Sequence, residues 1–230
     1  MKKTVITLDF NGRKIYGDII SNDSNIDFLF IHGAGTTNRT RYEYFRNFLA
    51  SKNISSVMVD LIGHGETGGD IKDTTLRERT EEVLAILKDL NLMQPLKIIA
   101  FSMGAYNAIK LTELLEIDSM VLFVPAVYHK KAYNAKFGPE MSHIIRALNS
   151  WQETDAWSIL NKYTGNILLF AAEKDQVVPF EVVKKIYDNS LNAKSREIII
   201  LPKSEHKVSL YFKERPDMIE FVTQKITELL

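Results

Sequence analysis

Cysteine is absent from this 230-residue chain, which excludes disulfides, a thiol nucleophile, an iron–sulfur cluster and a Cys-type zinc site. An excess of either charge is missing too, since 29 Lys and Arg balance 29 Asp and Glu. A neutral balance gives no broad footprint for nucleic acid or for an anionic membrane. No apolar run approaches the roughly 18 residues of a transmembrane helix. The opening segment meets Asp9 before it is long enough for a signal peptide. Glycine (11) and proline (6) are sparse, and no repeat or low-complexity tract appears, so no linker divides the chain. The expectation is a soluble, cytoplasmic protein with a single domain over residues 1–230, large enough to bury a core without a covalent staple.

What is present is a change of texture along the chain. Two short alternating stretches, 5–10 and 14–20, flank Asn11-Gly12, the strongest short-range hairpin signal. Apolar bursts then follow at Phe28–Ile31, Ser56–Val59, 96–100, 120–124, 167–171 and 197–201. They lack strict alternation, as expected of strands buried on both faces of a parallel sheet. Amphipathic segments at 41–51, 76–90, 103–115, 180–191 and 216–230 separate or follow them. In the second, Leu76, Val83, Leu84, Leu87 and Leu90 repeat at helical spacing. A hairpin followed by alternating strand and helix predicts an α/β sandwich with a mostly parallel sheet and helices on both faces. Residues 128–163 break the rhythm, with no strand burst but with Met141, Ile144, Ile145 and Leu148 at helical spacing. That segment reads either as a surface helix docked on the body or as a small lid over a pocket.

In open α/β sheets reacting groups gather at the carboxyl ends of strands. The first burst is followed by His32-Gly33-Ala34-Gly35 and the second by Asp60-Leu61-Ile62-Gly63-His64-Gly65. The third leads into Phe101-Ser102-Met103-Gly104. The fifth precedes Glu173-Lys174-Asp175 with Val178-Pro179 behind it, and the sixth precedes Ser204-Glu205-His206. A serine, an acid and a histidine thus stand at three strand ends. Ala100-Phe101-Ser102-Met103-Gly104 lies between a strand and a helix, where a sharp bend exposes the hydroxyl and crowds the backbone. Alone it reads more readily as a helix N-cap serine.

Taken in order, these motifs resemble the α/β-hydrolase family over nearly the whole chain, and most closely its monoacylglycerol-lipase and serine-aminopeptidase-like branch. The resemblance implies a sheet of about eight strands and a lid at 128–163, after the sixth. It also implies a serine esterase acting without cofactor or metal on a small-molecule ester. Ser102 would be the nucleophile, His206 the base and Asp175 its orienting acid, with the backbone N–H groups of Ala34 and Met103 as oxyanion donors. Five histidines occur, and only His206 lies beyond Asp175. Val178-Pro179 favours Asp175 over its rival Glu173. His32 and His64, flanked by glycines, read as loop-holding rings. Ala100 and Ser204-Glu205 stand where the family carries glycine. Lid residues Phe137, Met141, Ile145 and Trp151 are expected to line an apolar acyl or alcohol pocket for short to medium acyl chains or small aromatic esters. Thioesterase, amidase, peptidase or acyltransferase chemistry would use the same groups, and a non-catalytic ligand-binding protein would keep the fold alone. A dinucleotide fingerprint at Gly33-x-Gly35-x-x-Asn38 with Asp60 lacks its third glycine. There is no His-Glu-x-x-His metal motif.

Overall fold

The Asn11-Gly12 turn is formed in a computed structural model, which describes residues 1–22, 25–92 and 94–230. Both turn residues have positive φ, 53° and 77°, as a two-residue type I′ hairpin requires. They join β1 (Lys2–Phe10) to β2 (Arg13–Ser21) antiparallel. Then come β3 (Phe28–Ile31), α1 (Glu43–Ser51), β4 (Ser56–Val59), α2 (Leu76–Asp89), β5 (Leu96–Phe101), α3 (Met103–Leu111) and β6 (Ile117–Phe123). Next are α4 (Pro139–Ile145), α5 (Ala156–Leu160), β7 (Asn166–Ala172), α6 (Phe180–Asn189), β8 (Ser195–Leu201), α7 (Val208–Glu214) and α8 (Pro216–Thr227).

The strands form one sheet in the order β1-β2-β4-β3-β5-β6-β7-β8. β2 meets β4 antiparallel, and every pairing from β4 to β8 is parallel. Every residue of β3, β4 and β7 is buried, which explains their unbroken apolar runs. β8 lies at the edge and varies in exposure along its length. The period of two sends alternate side chains to opposite faces. Phe28 and Phe30 pack in one cluster with Phe45, Phe212 and Val222, from α1, α7 and α8. Leu29 and Ile31 belong to the other, with Leu76, Val83, Ala108 and Val182 from α2, α3 and α6.

Successive connections leave β3 in opposite directions, to β4 on one side and, through β4, to β5 on the other. That reversal opens a crevice at the carboxyl ends of β3 and β5. A ladder of register partners, Phe101, Phe123 and Phe170, floors this end. Their rings stack at 4.8 and 4.6 Å, pairings that stiffen adjacent strands.

Several boundaries differ from expectation. The helix expected over 103–115 ends at Leu111, where the Thr112 hydroxyl donates back to the Ile109 carbonyl. The sixth strand begins at Ile117, and α7 after His206 was not anticipated. Short 3-10 turns (Lys130–Tyr133 and Ser150–Glu153), α4 and α5 fill the 128–163 segment. Its far end is tied to α3, since Tyr106 Oη donates to Asp155 at 2.6 Å and Lys110 pairs with the same carboxylate at 3.1 Å.

Candidate active site

Ser102 sits between the last residue of β5 and the first of α3 with φ 50° and ψ −117°. Few non-glycine residues adopt positive φ, and such strain is held only where neighbours enforce it. Here the Ser102 N–H donates to Phe123 O at 2.9 Å, and its carbonyl accepts from Ala126 N at 3.1 Å. Both ends of the bend are thereby anchored to the tip of β6. Gly104 shows why the bend needs a glycine. A Cβ there would stand 2.5 Å from the carbonyl oxygen of Ile31 and 2.8 Å from that of His32.

His206 lies in the loop between β8 and α7, and Asp175 in the loop after β7. The His206 Nδ1 is 2.8 Å from Asp175 Oδ2 and its Nε2 is 2.9 Å from Ser102 Oγ. Nδ1–H donates to the carboxylate, which leaves Nε2 to accept from the serine hydroxyl. Asp175 Oδ1 also accepts from the backbone N–H of Val177 and Val178, at 2.9 and 3.0 Å. Burial pushes the Asp175 carboxyl up, but the hydrogen bonds from His206, Val178 and Val177 outweigh it and hold the group below the usual aspartate range. Glu173, the rival acid, instead accepts from Lys203 N at 2.5 Å, away from the ring. Ser204 is buried, with its hydroxyl donating to Leu201 O at 2.8 Å and its carbonyl accepting from Lys174 N at 2.9 Å. It thus ties the histidine loop to the aspartate loop.

The loop after β3 approaches the serine closely, for a Cβ on Gly33 would lie 3.1 Å from Ser102 Cβ. Ala34 follows on the exposed side. The described residues offer no backbone or side-chain acceptor to the N–H of Ala34 or Met103. His32 and His64 are buried with ring centroids 4.5 Å apart. His32 Nδ1–H donates to Gly33 O at 2.7 Å while Nε2 accepts from Leu61 N at 3.0 Å. Burial and the nearby Arg79 cation hold His32 well below its ordinary value, and the same two causes bring His64 down to about 4. Both rings are neutral loop braces, in agreement with the sequence reading.

Sequence reasoning missed Arg79. This buried side chain of α2 donates through Nη2 to His32 O at 3.0 Å and Gly33 O at 3.3 Å, the carbonyls just before Ala34. Its position among Glu82, Val83 and Ile86 on the buried side of α2 was the available signal, since a cation among core positions demands a polar partner. A second buried network, Arg39 and Arg46 with Asp18, and Arg39 with Asp60 and Glu66, fixes the segment that follows the loop.

A cavity of about 210 Å³ opens beside Ser102 and His206, walled by the Gly33–Thr37 loop, Arg41, Tyr42, Phe101, Val124 and Lys207–Ser209. Phe137, Met141, Ile145 and Trp151 do not line it. Phe137 and Met141 are buried in the core cluster of α2 and α3, and Ile145 and Trp151 pack against that cluster. Of the stripe at helical spacing, Met141 is buried and Ile144 and Ile145 pack against the body, while Leu148 lies beyond α4 and is 92% exposed. Val124, on the cavity wall, has φ 44°, a strained conformation for a β-branched residue. Among the described residues, no group of three or more His, Asp and Glu is arranged to hold a metal ion. Nor is any described helix long and apolar enough to cross a membrane.

The sheet order, the strained serine after β5 and the helices on both faces define an α/β-hydrolase. A family model for serine aminopeptidase, S33, matches residues 25–154, and the chain belongs to that hydrolase family. A search of curated protein sequences gives no match. Among solved structures, it is similar to Est1E from Butyrivibrio proteoclasticus with ferulic acid bound. The identity there is 18%, the TM-score 0.73, and 96% of this chain and 99% of that one are covered. An esterase from Exiguobacterium antarcticum is 20% identical with TM-score 0.73, covering 97% and 99%. A thioesterase domain from the curacin biosynthetic pathway is 14% identical with TM-score 0.73, covering 99% and 100%.

Proposed function

We propose that the protein is a serine hydrolase that cleaves small carboxylic esters through an acyl-enzyme at Ser102. The observation that carries this reading is the continuous hydrogen-bonded line from Asp175 through His206 to Ser102. An unassisted serine hydroxyl is a weak nucleophile at neutral pH and requires an adjacent base. Ser102 Oγ attacks the ester carbonyl carbon as its proton passes to His206 Nε2. Asp175 stabilises the resulting imidazolium and fixes the tautomer. The carbonyl oxygen becomes an oxyanion, received by the N–H groups of Ala34 and Met103, which have no other acceptor among the described residues. The bond to the leaving alkoxide breaks, and His206 returns the proton to it. A water that gives its proton to His206 then attacks the acyl carbon, releasing the acid and restoring Ser102.

This reading takes residues 1–230 as one hydrolase domain, with 128–163 as its inserted lid segment, which here packs on the body without forming part of the cavity wall. Typical drug-sized sites span roughly 300–1,000 Å³, so the smaller cavity here favours short acyl groups. A fluorophosphonate probe should label the parent protein and leave Ser102→Ala unlabelled. Ser102→Ala and His206→Ala should each lower turnover of p-nitrophenyl acetate by roughly 10⁴–10⁶-fold. Near-parent activity in either variant would overturn the assignment. The same groups serve thioesters and amides, and a matched substrate panel ranks the three.

A further inference from the structure

The charge on the cavity wall is one-sided, although Glu205 lines a neighbouring hollow with His206 and Lys207. Of the residues that wall the cavity, Arg41 and Lys207 are cationic and none is acidic. Two residues before Arg41, Arg39 is neutralised by Asp18, Asp60 and Glu66. Arg41 is treated differently. Its Nε donates to Ser209 Oγ at 2.7 Å and its Nη1 to Thr36 O at 3.3 Å, both uncharged acceptors. Among the described residues no carboxylate lies within ion-pair distance of Arg41 or of Lys207. Asp175 stands behind the His206 ring, on the Nδ1 side, away from the serine. A guanidinium whose Nε and Nη1 are anchored by neutral groups keeps its charge and its remaining N–H donors for something else. Arginine binds carboxylates through charge-assisted hydrogen bonds, the stronger class.

We infer that Arg41 is a specificity residue that recognises a carboxylate on the substrate, so that the preferred ester is the half-ester of a short dicarboxylic acid. The inference rests on the hydrolase reading of Ser102. The cavity admits only a short acyl chain, which keeps its far carboxylate within the same small chamber as the scissile carbonyl. Lys207, exposed at the rim, adds a second positive charge to draw the anion in.

The test compares mono-4-nitrophenyl glutarate with 4-nitrophenyl pentanoate, esters of similar length that differ in the terminal carboxylate. In the parent, kcat/KM should favour the anionic ester by about tenfold or more at low salt. Arg41→Met should bring that ratio to about one, and Arg41→Lys should retain part of it. If Arg41 serves only to tether the loop to Ser209, both esters lose activity together and the ratio is unchanged, which overturns the inference. Should Arg41→Met fail to fold, the parent decides. Its preference should decline as salt rises from about 20 mM to about 500 mM, because a partly exposed charge pair is screened. Equal rates for the two esters in the parent refute the carboxylate site and leave the hydrolase reading intact. No release of nitrophenol from either ester, with Ser102 also unlabelled by the fluorophosphonate, defeats both.

Discussion

Gly104→Ala probes the geometry on which the site depends. The added methyl would stand 2.5 Å from Ile31 O and 2.8 Å from His32 O, where ordinary contact begins near 3.4 Å. Both neighbours are backbone atoms at the end of β3, so no side chain can rotate aside. Either α3 moves away from the strand end or the loop bearing Ala34 does. Overpacking of this kind costs about 1–3 kcal/mol, which in a chain of this size lowers Tm by roughly 2–12 °C. The displacement also separates the N–H groups of Met103 and Ala34, the proposed oxyanion donors, and loss of one such donor lowers kcat about 10²–10³-fold. Thermal unfolding followed by tryptophan fluorescence, with kcat for p-nitrophenyl acetate measured well below the transition, reads both effects. Ile226→Ala, in the opposite core cluster, is the control. It should lower Tm by a comparable amount through its cavity while kcat stays near parent. If Gly104→Ala kept both its Tm and its kcat within twofold of parent, the close-approach reasoning would fail.

The assignment of the acid can be settled by charge-removing substitutions. Asp175→Asn should lower kcat about 10⁴-fold by allowing the wrong histidine tautomer, whereas Glu173→Gln should change it by less than about tenfold. The reverse pattern in steady-state kinetics would exchange their roles. Glu82, fully buried on α2, is pushed by burial up to about 7 from 4.5, against the hydrogen bond it accepts from Ile62 N. Because its folded value exceeds the unfolded one, the folded state holds the extra proton between these limits, and stability falls as pH rises from about 4.5 to 7. Urea unfolding across that window should therefore show Glu82→Gln gaining on the parent as pH increases. A difference independent of pH would refute the shift.

Much of the fold could be read from local pattern because burial on both faces leaves a distinctive sequence trace. The unbroken apolar runs of β3, β4 and β7, and the Asn11-Gly12 turn, are consequences of neighbours within a few residues. Helix ends were less legible, since the end of α3 at Leu111 and the start of α7 after His206 depend on what packs against them. The packing of Phe137, Met141, Ile145 and Trp151 against the core was illegible for a related reason. Helical spacing reports that one face is buried, but not whether a pocket or the core covers it.

The chain's own order determined that a serine, an acid and a histidine would each follow a strand, because strand ends are marked by where apolar runs stop. Tertiary structure alone decided that those ends converge, since residues 102 and 206 meet only through the parallel register of β5 to β8. It also decided that Arg79 braces the loop at Ala34 and that Arg41 lines the cavity with no carboxylate among the described residues at ion-pair distance. Charge partners are chosen by distance in space, and distance in space is not written in neighbouring residues.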